Sequence, residues 1–499
     1  MSIERHDRTD RFLTPFLDVS QREKFYNSKI IITGDDTLNS TNGILMAKTL
    51  VNLVARFTND LHVSLPDKFS KFEEELILLA KSTSANSNSE IPENPEVIII
   101  IGNSNLKGGF VIRINSDGWV SYLTCNKPLS LSTSSPNPIG AMGSACFGAT
   151  ECFKRLLKSQ GSNDPFVSEH PGDFVFSFLD YSLTDNNEKF PSKINIDENV
   201  LLVGVGAVGS AVVYGLSEIP NIKGMISVVD NDIFNGTNLN RCLIAFVDTL
   251  GKNKAEITSL YSSEDLTFQP HSMTYENFRD KIGLNHPLIL STVDNNEVRH
   301  EIQSDLPKLI FHGSTGEQKA AISVIKFLEN ACFGCIYQSK PKSREEIIAR
   351  DMGIPLKIVT KTLKNNASFS EEHLEYLKEK LGDKGEDFRK HIGRPFEEVF
   401  QKEICGKIKI QTEDGQKDAS VSFVSFFAGL GIISEFVKYL CKIQDIPMIN
   451  DKDFYRINMF KPSHLRGPFQ YVKNPECIFS CSDIDFQQIF AKKWGIPND

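Results

Sequence analysis

Gly204, Gly206 and Gly209 stand at G-x-G-x-x-G spacing at the end of an apolar run, Val200 to Val205. Glycines in such a turn let the backbone bend tightly and approach phosphate oxygens. The helix that follows points its N-terminal amides and positive dipole end at the anion. Asp230 closes the next apolar run, Met225 to Val229, where a carboxylate can bond a ribose hydroxyl. Nicotinamide and flavin enzymes use the same turn, so these residues alone select no cofactor. The residues that follow are more selective: Asp232, Asn238, Arg241, Lys254, and Asp294 with Asn295 and Arg299. Hydride transfer has no need of Asn, Arg and Lys at these places. Cleavage of ATP between its α- and β-phosphates does, because the departing pyrophosphate gathers negative charge.

The elements that must position these groups alternate strand and helix. In the second half, strands are expected at Val200–Val205, Met225–Val229, Leu288–Val293, Lys308–Phe311 and Ala320–Lys326. Asp294 then falls at the C-terminal end of a strand, where parallel α/β sheets place their chemistry. A turn is expected over HGSTGE, before Ala320. The first half also opens strand–turn–helix, with Ile30–Asp36 and a helix over Gly43–Phe57, but only Gly34 and Gly43 stand where the glycine triad would be. Val97–Ile101 is a further strand, Gly109–Leu123 a hairpin and Gly140–Leu157 a helix rich in small residues. The polar stretch from Ser82 to Pro95 reads as a loop. Between Pro341 and Gln401, charged residues with apolar ones at helical spacing indicate a helical insertion. The run VSFVSFFAGLGIISEFVKYL reads as an apolar helix against the sheet, and INMFKPS and FQYVKN as strands of the tail.

In order, the chain carries a glycine turn, D-x-D, N-L-x-R, G-x-x-K, D-N-x-x-x-R, a C-x-x-C and a late pair of cysteines. This order resembles the ubiquitin-activating, ThiF-type adenylyltransferases, from about residue 195 to the C-terminus and more weakly before it. The resemblance implies an α/β chain of two Rossmann-like adenylation folds. An inactive one would span 1–185 and an active one 186–499, with a helical insertion and catalytic cysteine region at 341–404 and a zinc-bound tail at 471–485. ATP would be bound by Gly204, Gly206, Gly209, Asp230, Asp232, Asn238, Arg241 and Lys254, with Lys252 the competitor for the lysine role. Asp294 would hold Mg²⁺; a helix cap is the plainer alternative. Cys332, Cys335, Cys477 and Cys481 would hold Zn²⁺; a redox dithiol at the first pair is the alternative. Arg11, in DRTDRF, matches an arginine that reaches from the inactive half to ATP, with a solvated surface arginine as the competing reading. Cys405, flanked by Lys402 and Lys407, would be the thioester nucleophile; an incidental loop thiol is the alternative.

The activity implied is ATP-dependent, AMP-forming activation of a ubiquitin-like modifier protein, followed by transfer to a conjugating enzyme. The compact plan looks like that of bacterial ubiquitin-like conjugation systems, such as those of antiphage defence. Adenylate-only activation of a sulfur-carrier protein or peptide shares every residue except the role of Cys405. A non-catalytic scaffold and a nicotinamide oxidoreductase are the readings from other classes.

The totals agree with such an enzyme. A chain of 499 residues, 40% hydrophobic and 24% charged, has the make-up of two or three ordinary globular domains. A net charge of −9 offers no broad basic field for nucleic acid. No apolar run is read as long enough to cross a bilayer, and the charged N-terminus lacks a secretory core. The expected compartment is the cytoplasm, so the ten cysteines are read as thiols, ligands or nucleophiles before disulfides. A homodimer is left open.

Overall fold

In the computed structural model the strands form two sheets of the same order. It describes residues 2–106, 108–129, 135–164, 167, 173–316, 318–327, 329–337, 345, 348–349, 352–400, 421–443, 452–462, 468–475, 477, 479, 481–482 and 484–496. The first sheet comprises β1 (Ile30–Gly34), β2 (Asp60–Val63), β3 (Asn86–Asn88), β4 (Val97–Ile101), β5 (Phe110–Asp117), β6 (Val120–Thr124) and β7 (Asp173–Ser177). Across it the order is β3-β2-β1-β4-β5-β6-β7. A short β8 (Ile194–Asn195) leads into the second sheet: β9 (Val200–Val203), β10 (Ile222–Val229), β11 (Leu266–His271), β12 (Leu288–Ser291), β13 (Leu309–Gly316), β14 (Lys319–Lys326) and β15 (Phe454–Asn458). Its order is β11-β10-β9-β12-β13-β14-β15, with β8 pairing β10. In each sheet the first five strands pair in parallel and the last two antiparallel. β1 and β4 are buried at every residue, which is why they read as unbroken apolar runs rather than alternating ones.

The repeat extends to the helices. In the first half, helix Ile139–Ser159 packs on helix Thr41–Val54, β5 and β6; in the second, helix Ser422–Leu440 packs on helix Ala207–Ser217, β13 and β14. The two long helices also pack on each other, and one continuous apolar core runs through both halves. The boundary expected near residue 185 therefore separates two sheets within one compact unit, Met1–Tyr337 with Ala419–Asp499.

Four sequence expectations change. β13 runs on through the expected HGSTGE turn as far as Gly316, because that segment pairs in register with β14, Gly316 opposite Lys319. The polar 82–95 stretch contains β3, a strand at the sheet's edge. FQYVKN contributes only an isolated bridge, Phe469 to Phe454. Ser422–Leu440 is, after all, long and apolar enough by length and composition to cross a membrane, but 89% of that run is buried inside the protein, as the shared core helix of the two halves.

Residues Gln338–Asp418 form a second compact unit. Its described residues include helices Leu356–Lys364 and Glu371–Leu381 around a small core of its own, with Ile354, Val359, Phe369, Leu374 and Leu377 among its residues.

Candidate active site

Gly204 has φ +90°, a left-handed conformation that a side chain would strain. Helix Ala207–Ser217 starts almost at once. A Cβ on Gly209 would lie 2.1 Å from the Gly204 carbonyl oxygen and 2.7 Å from Thr292 Oγ1, so glycine is what lets the helix sit this close to the strand end. At Gly206 the place of a Cβ has no atom within 4 Å, and no side chain caps the helix. The turn thus presents unclaimed N–H groups at a positive helix end to open space, the arrangement that binds phosphate.

The equivalent place in the first sheet is closed. Between β1 and helix Thr41–Val54 the chain inserts a 3₁₀ turn, Asp36–Asn39. Thr37 N donates to Asp35 Oδ1 at 2.8 Å and Asn103 N to Asp35 Oδ2 at 2.6 Å. Gly43 N donates to Ser40 Oγ at 3.0 Å. A carboxylate and a hydroxyl already use the amides that an anion would take, and their charge and bulk exclude one.

Asp230, at the end of β10, is fixed through both oxygens. It accepts from Val205 N at 2.5 Å and from Asp232 N at 2.8 Å. Burial raises the pKa of its carboxyl, against the opposing pull of the Lys254 ammonium and these amides. Lys254 is buried, whereas Lys252 is exposed. Lys254 Nζ donates to Asp232 Oδ2 at 2.8 Å. Burial pulls the Lys254 pKa down, but Asp230 and Asp232 outweigh it and the net shift is upward, which keeps the cation charged. Asn253, which the sequence reading passed over, caps the Lys254 helix and donates to the Asp230 carbonyl at 3.2 Å.

Asn238 and Arg241 sit in the next loop, both buried. Asn238 Oδ1 accepts from Asn235 N at 2.9 Å, and Arg241 Nη1 donates to Thr237 O at 2.6 Å and Asn240 Oδ1 at 3.0 Å. Burial lowers the Arg241 pKa, opposed by nearby Cys242 and Asp294. Asp294 itself is exposed just past β12, and it is the acidic neighbour shared by Arg8, Arg241 and Arg299. The helix-capping role is taken by Asn295, whose Oδ1 accepts from Glu297 N at 2.6 Å. An exposed carboxylate at a strand end is a ligand that Mg²⁺ can take when phosphate and water supply the others.

The first helix, Ser2–Leu13, comes to this site through Thr9, whose Oγ1 accepts from Asn240 Nδ2 at 3.0 Å. Arg11 lies on its exposed side, 3.3 Å from Asp7. Arg8 is the arginine of this helix whose charge neighbours are Arg241 and Asp294; burial and then Arg241 lower its pKa to about 10. The match in DRTDRF points to Arg11 in sequence, but which arginine faces the site depends on how the helix docks, and that is not written in a short motif.

Cys332, Cys335, Cys477 and Cys481 come together, their sulfurs all within 4.8 Å of one another. Cys332 and Cys477 Sγ are 3.3 Å apart, Cys335 and Cys481 3.4 Å, Cys332 and Cys335 3.8 Å. A tetrahedron with Zn–S bonds of about 2.3 Å has edges of about 3.8 Å, so these sulfurs could hold a metal such as zinc. Asn474 N donates to Cys335 Sγ at 3.3 Å, an outer bond typical of such sites. The closing helix Ile484–Trp494 docks alongside, Trp494 Nε1 donating to Leu306 O at 2.7 Å. Purified protein is expected to carry about one zinc ion per chain, and Cys481→Ser to lose most of it. Elemental analysis that finds equal metal in both would remove Cys481 from the ligand set.

Cys405 lies outside the described residues. Among the described residues, the cysteines away from the cluster are poor nucleophiles. Cys146, Cys152 and Cys242 are buried, and burial pushes Cys125 up to about 12 and Cys441 up to about 11.

Comparison with known proteins gives two family models, two relatives and two solved structures. The ThiF family model matches residues 187–478, more than half the chain, and a model described as the BilD N-terminal domain matches residues 29–163. The chain is similar to the uncharacterized protein y4jF of Sinorhizobium fredii, 26% identical over 485 residues, covering 92% of this chain and 90% of that protein. It is also similar to the adenylyltransferase and sulfurtransferase UBA4 of Scheffersomyces stipitis, 25% identical over 170 residues, 32% of this chain and 37% of that protein. The crystal structure of E. coli MccB aligns at a TM-score of 0.36 and 14% identity, over 74% of this chain and 94% of that one; that of MccB with MccA-N7isoASN aligns at 0.36 and 16%, over 57% and 67%.

Proposed function

The chain belongs to the ThiF family of adenylyltransferases, and from that premise we propose that it activates the C-terminal carboxylate of a small ubiquitin-like protein with Mg-ATP. The observation that carries the reading is the contrast between the two strand-to-helix turns. The second is uncapped and glycine-lined; in the first, Asp35 and Ser40 occupy the amides. The second half is then the catalytic one and the first half its scaffold.

In this mechanism a carboxylate oxygen of the substrate attacks the α-phosphorus of ATP, and the bond to the bridging oxygen breaks, releasing pyrophosphate. The turn amides at Gly206–Gly209 orient the phosphates. Arg241 and Lys254, buried cations that both follow Asp230 in sequence, receive the charge that moves to the leaving group. Asp230 holds the ribose, Asn238 orients the triphosphate, and Arg8 extends the cationic side from the first helix. Mg²⁺ at Asp294 would supply further charge neutralisation on the phosphates.

We further propose that the acyl adenylate is taken by Cys405: its thiolate sulfur attacks the acyl carbon, and AMP leaves with the bonding pair. The thioester would then pass to the cysteine of a conjugating enzyme. One observation keeps the adenylate-only reading as second choice: one relative is named for both adenylyl and sulfur transfer.

The test uses the full chain, Mg-ATP and candidate small proteins with a free C-terminus. Pyrophosphate release that depends on the small protein is expected. An adduct that survives non-reducing gels, disappears with thiol and is absent from Cys405→Ala would support the thioester step. Release without any such adduct would select the adenylate-only reading.

A further inference from the structure

Arg56 has no exposed surface and follows helix Thr41–Val54, in the half whose own strand-to-helix turn is closed to phosphate. Its hydrogen bonds use every part of the guanidinium. Nε and Nη2 donate to Asn52 Oδ1 at 3.0 and 2.7 Å. Nη1 donates to Leu239 O at 2.8 Å and Ala245 O at 3.2 Å, and Nη2 to Leu243 O at 2.8 Å. None of these acceptors is a carboxylate. Burial lowers its pKa to about 10, so the cation persists at neutral pH, satisfied by three backbone oxygens and the Asn52 side-chain oxygen.

A buried cation without a counter-charge is costly unless its donors are all matched. Here they are matched only while residues 239–245 hold one conformation. That segment carries Arg241, midway between the carbonyls of Leu239 and Leu243. Asn52 adds a bond of its own, Nδ2 to Leu243 O at 3.2 Å. From the other side Leu243 N donates to Ser210 Oγ at 3.0 Å, on the helix behind the glycine turn. The three carbonyls therefore lock Arg241's backbone between the first half and the phosphate turn.

We propose that Arg56 is a positioning residue for adenylation: the first half fixes the loop of Arg241 through this guanidinium, so that the phosphate-binding cation is preorganised before ATP arrives. The inference rests on the adenylation reading and on Arg241 meeting the phosphate chain. A lysine cannot reproduce the fork, because its single ammonium has three donors from one point where Arg56 uses a planar set of five.

The experiment is calorimetric binding of Mg-ATP and of AMP to the full chain, wild type and Arg56→Lys, with Asn52→Ala as a milder second variant and Arg241→Ala as reference. Weakening of ATP binding by roughly tenfold is expected for Arg56→Lys, the scale on which residues away from a ligand alter its binding. AMP affinity should stay near that of wild type, because AMP lacks the phosphates Arg241 serves. Asn52→Ala should shift in the same direction by less. The Arg56→Lys/Arg241→Ala double variant should bind ATP no worse than Arg241→Ala alone. ATP affinity unchanged in both Arg56→Lys and Asn52→Ala, a melting temperature that falls with ATP and AMP affected equally, or additive losses in the double variant would each overturn the inference while leaving the adenylation reading standing. Failure of wild type to bind ATP would overturn both.

Discussion

Arg241→Ala is expected to slow ATP–pyrophosphate exchange by about 10²–10³, the loss seen when one donor to a developing charge is removed from a preorganised site. Arg241 is held by the protein itself: it is buried, and Nη1 donates to Thr237 O and Asn240 Oδ1. A donor fixed in this way pays no reorganisation as charge builds on the pyrophosphate, so its removal should slow the chemical step more than it weakens ground-state binding. The measurement is exchange at saturating ATP with whichever small protein supports it in wild type, alongside a thermal melt. The melt matters because truncation also strands two acceptors, at a cost of about 1–3 kcal/mol. Arg241→Lys should recover only part of the rate, since the ammonium cannot reproduce the guanidinium fork. Exchange at the wild-type rate in Arg241→Ala would remove Arg241 from the chemistry and leave Lys254 and Arg8 as the cations to consider.

The parts of this site that were legible in the sequence are those whose constraint is local. Gly204 must adopt a positive φ and Gly209 must let a helix pass within touching distance of Gly204; both demands act over a few residues and leave glycines at fixed spacing. The same is true of Cys332 with Cys335, and of the buried runs of β1 and β4. Arg8 and Arg56 were not legible because what defines them is a contact made far along the chain. Thr9, next to Arg8, meets Asn240, and Arg56 meets carbonyls at Leu239, Leu243 and Ala245; no spacing rule announces either.

The duplication of the fold was faint for a related reason. Sheet order is carried by many weakly constrained apolar residues, and the glycine turn, the one strongly marked feature, is altered in the first half. A short trace does survive on the two long helices. Glu151 and Lys154 stand three apart on helix Ile139–Ser159, and Glu435 and Lys438 three apart on helix Ser422–Leu440. Both pairs are buried, and each lies on the long helix between the last two strands of its sheet. Four residues of E-x-x-K are too common to argue from in sequence; at equivalent positions in two matching sheets they become informative.

Lys438→Met should lower the stability of the chain by about 3–5 kcal/mol, the cost of breaking a buried ion pair by removing one partner. Glu435 and Lys438 have no exposed surface. The ammonium is paired with the Glu435 carboxylate, donates to Leu179 O at 2.9 Å and lies 4.8 Å from the centre of the Tyr181 ring. Tyr181 OH donates to Glu435 Oε1 at 2.7 Å, while Glu435 Oε2 has no hydrogen-bond partner among the described residues. Without Lys438 the carboxylate keeps one hydroxyl and no cation, in a helix enclosed by both sheets. Replacing both charges, in Glu435→Met/Lys438→Met, should restore much of the loss, because a well-packed apolar pair can match a buried ion pair. Denaturant unfolding of the three proteins reads this directly, as midpoints shifted at a common slope. A single variant as stable as wild type would mean the pair contributes little. A double variant no better than the single would place the cost in packing around Tyr181 rather than in the unpaired charge. Because the helix is common to both halves, the unpaired carboxylate should loosen the packing beneath the glycine turn as well, and ATP affinity should fall in Lys438→Met and recover in the double variant.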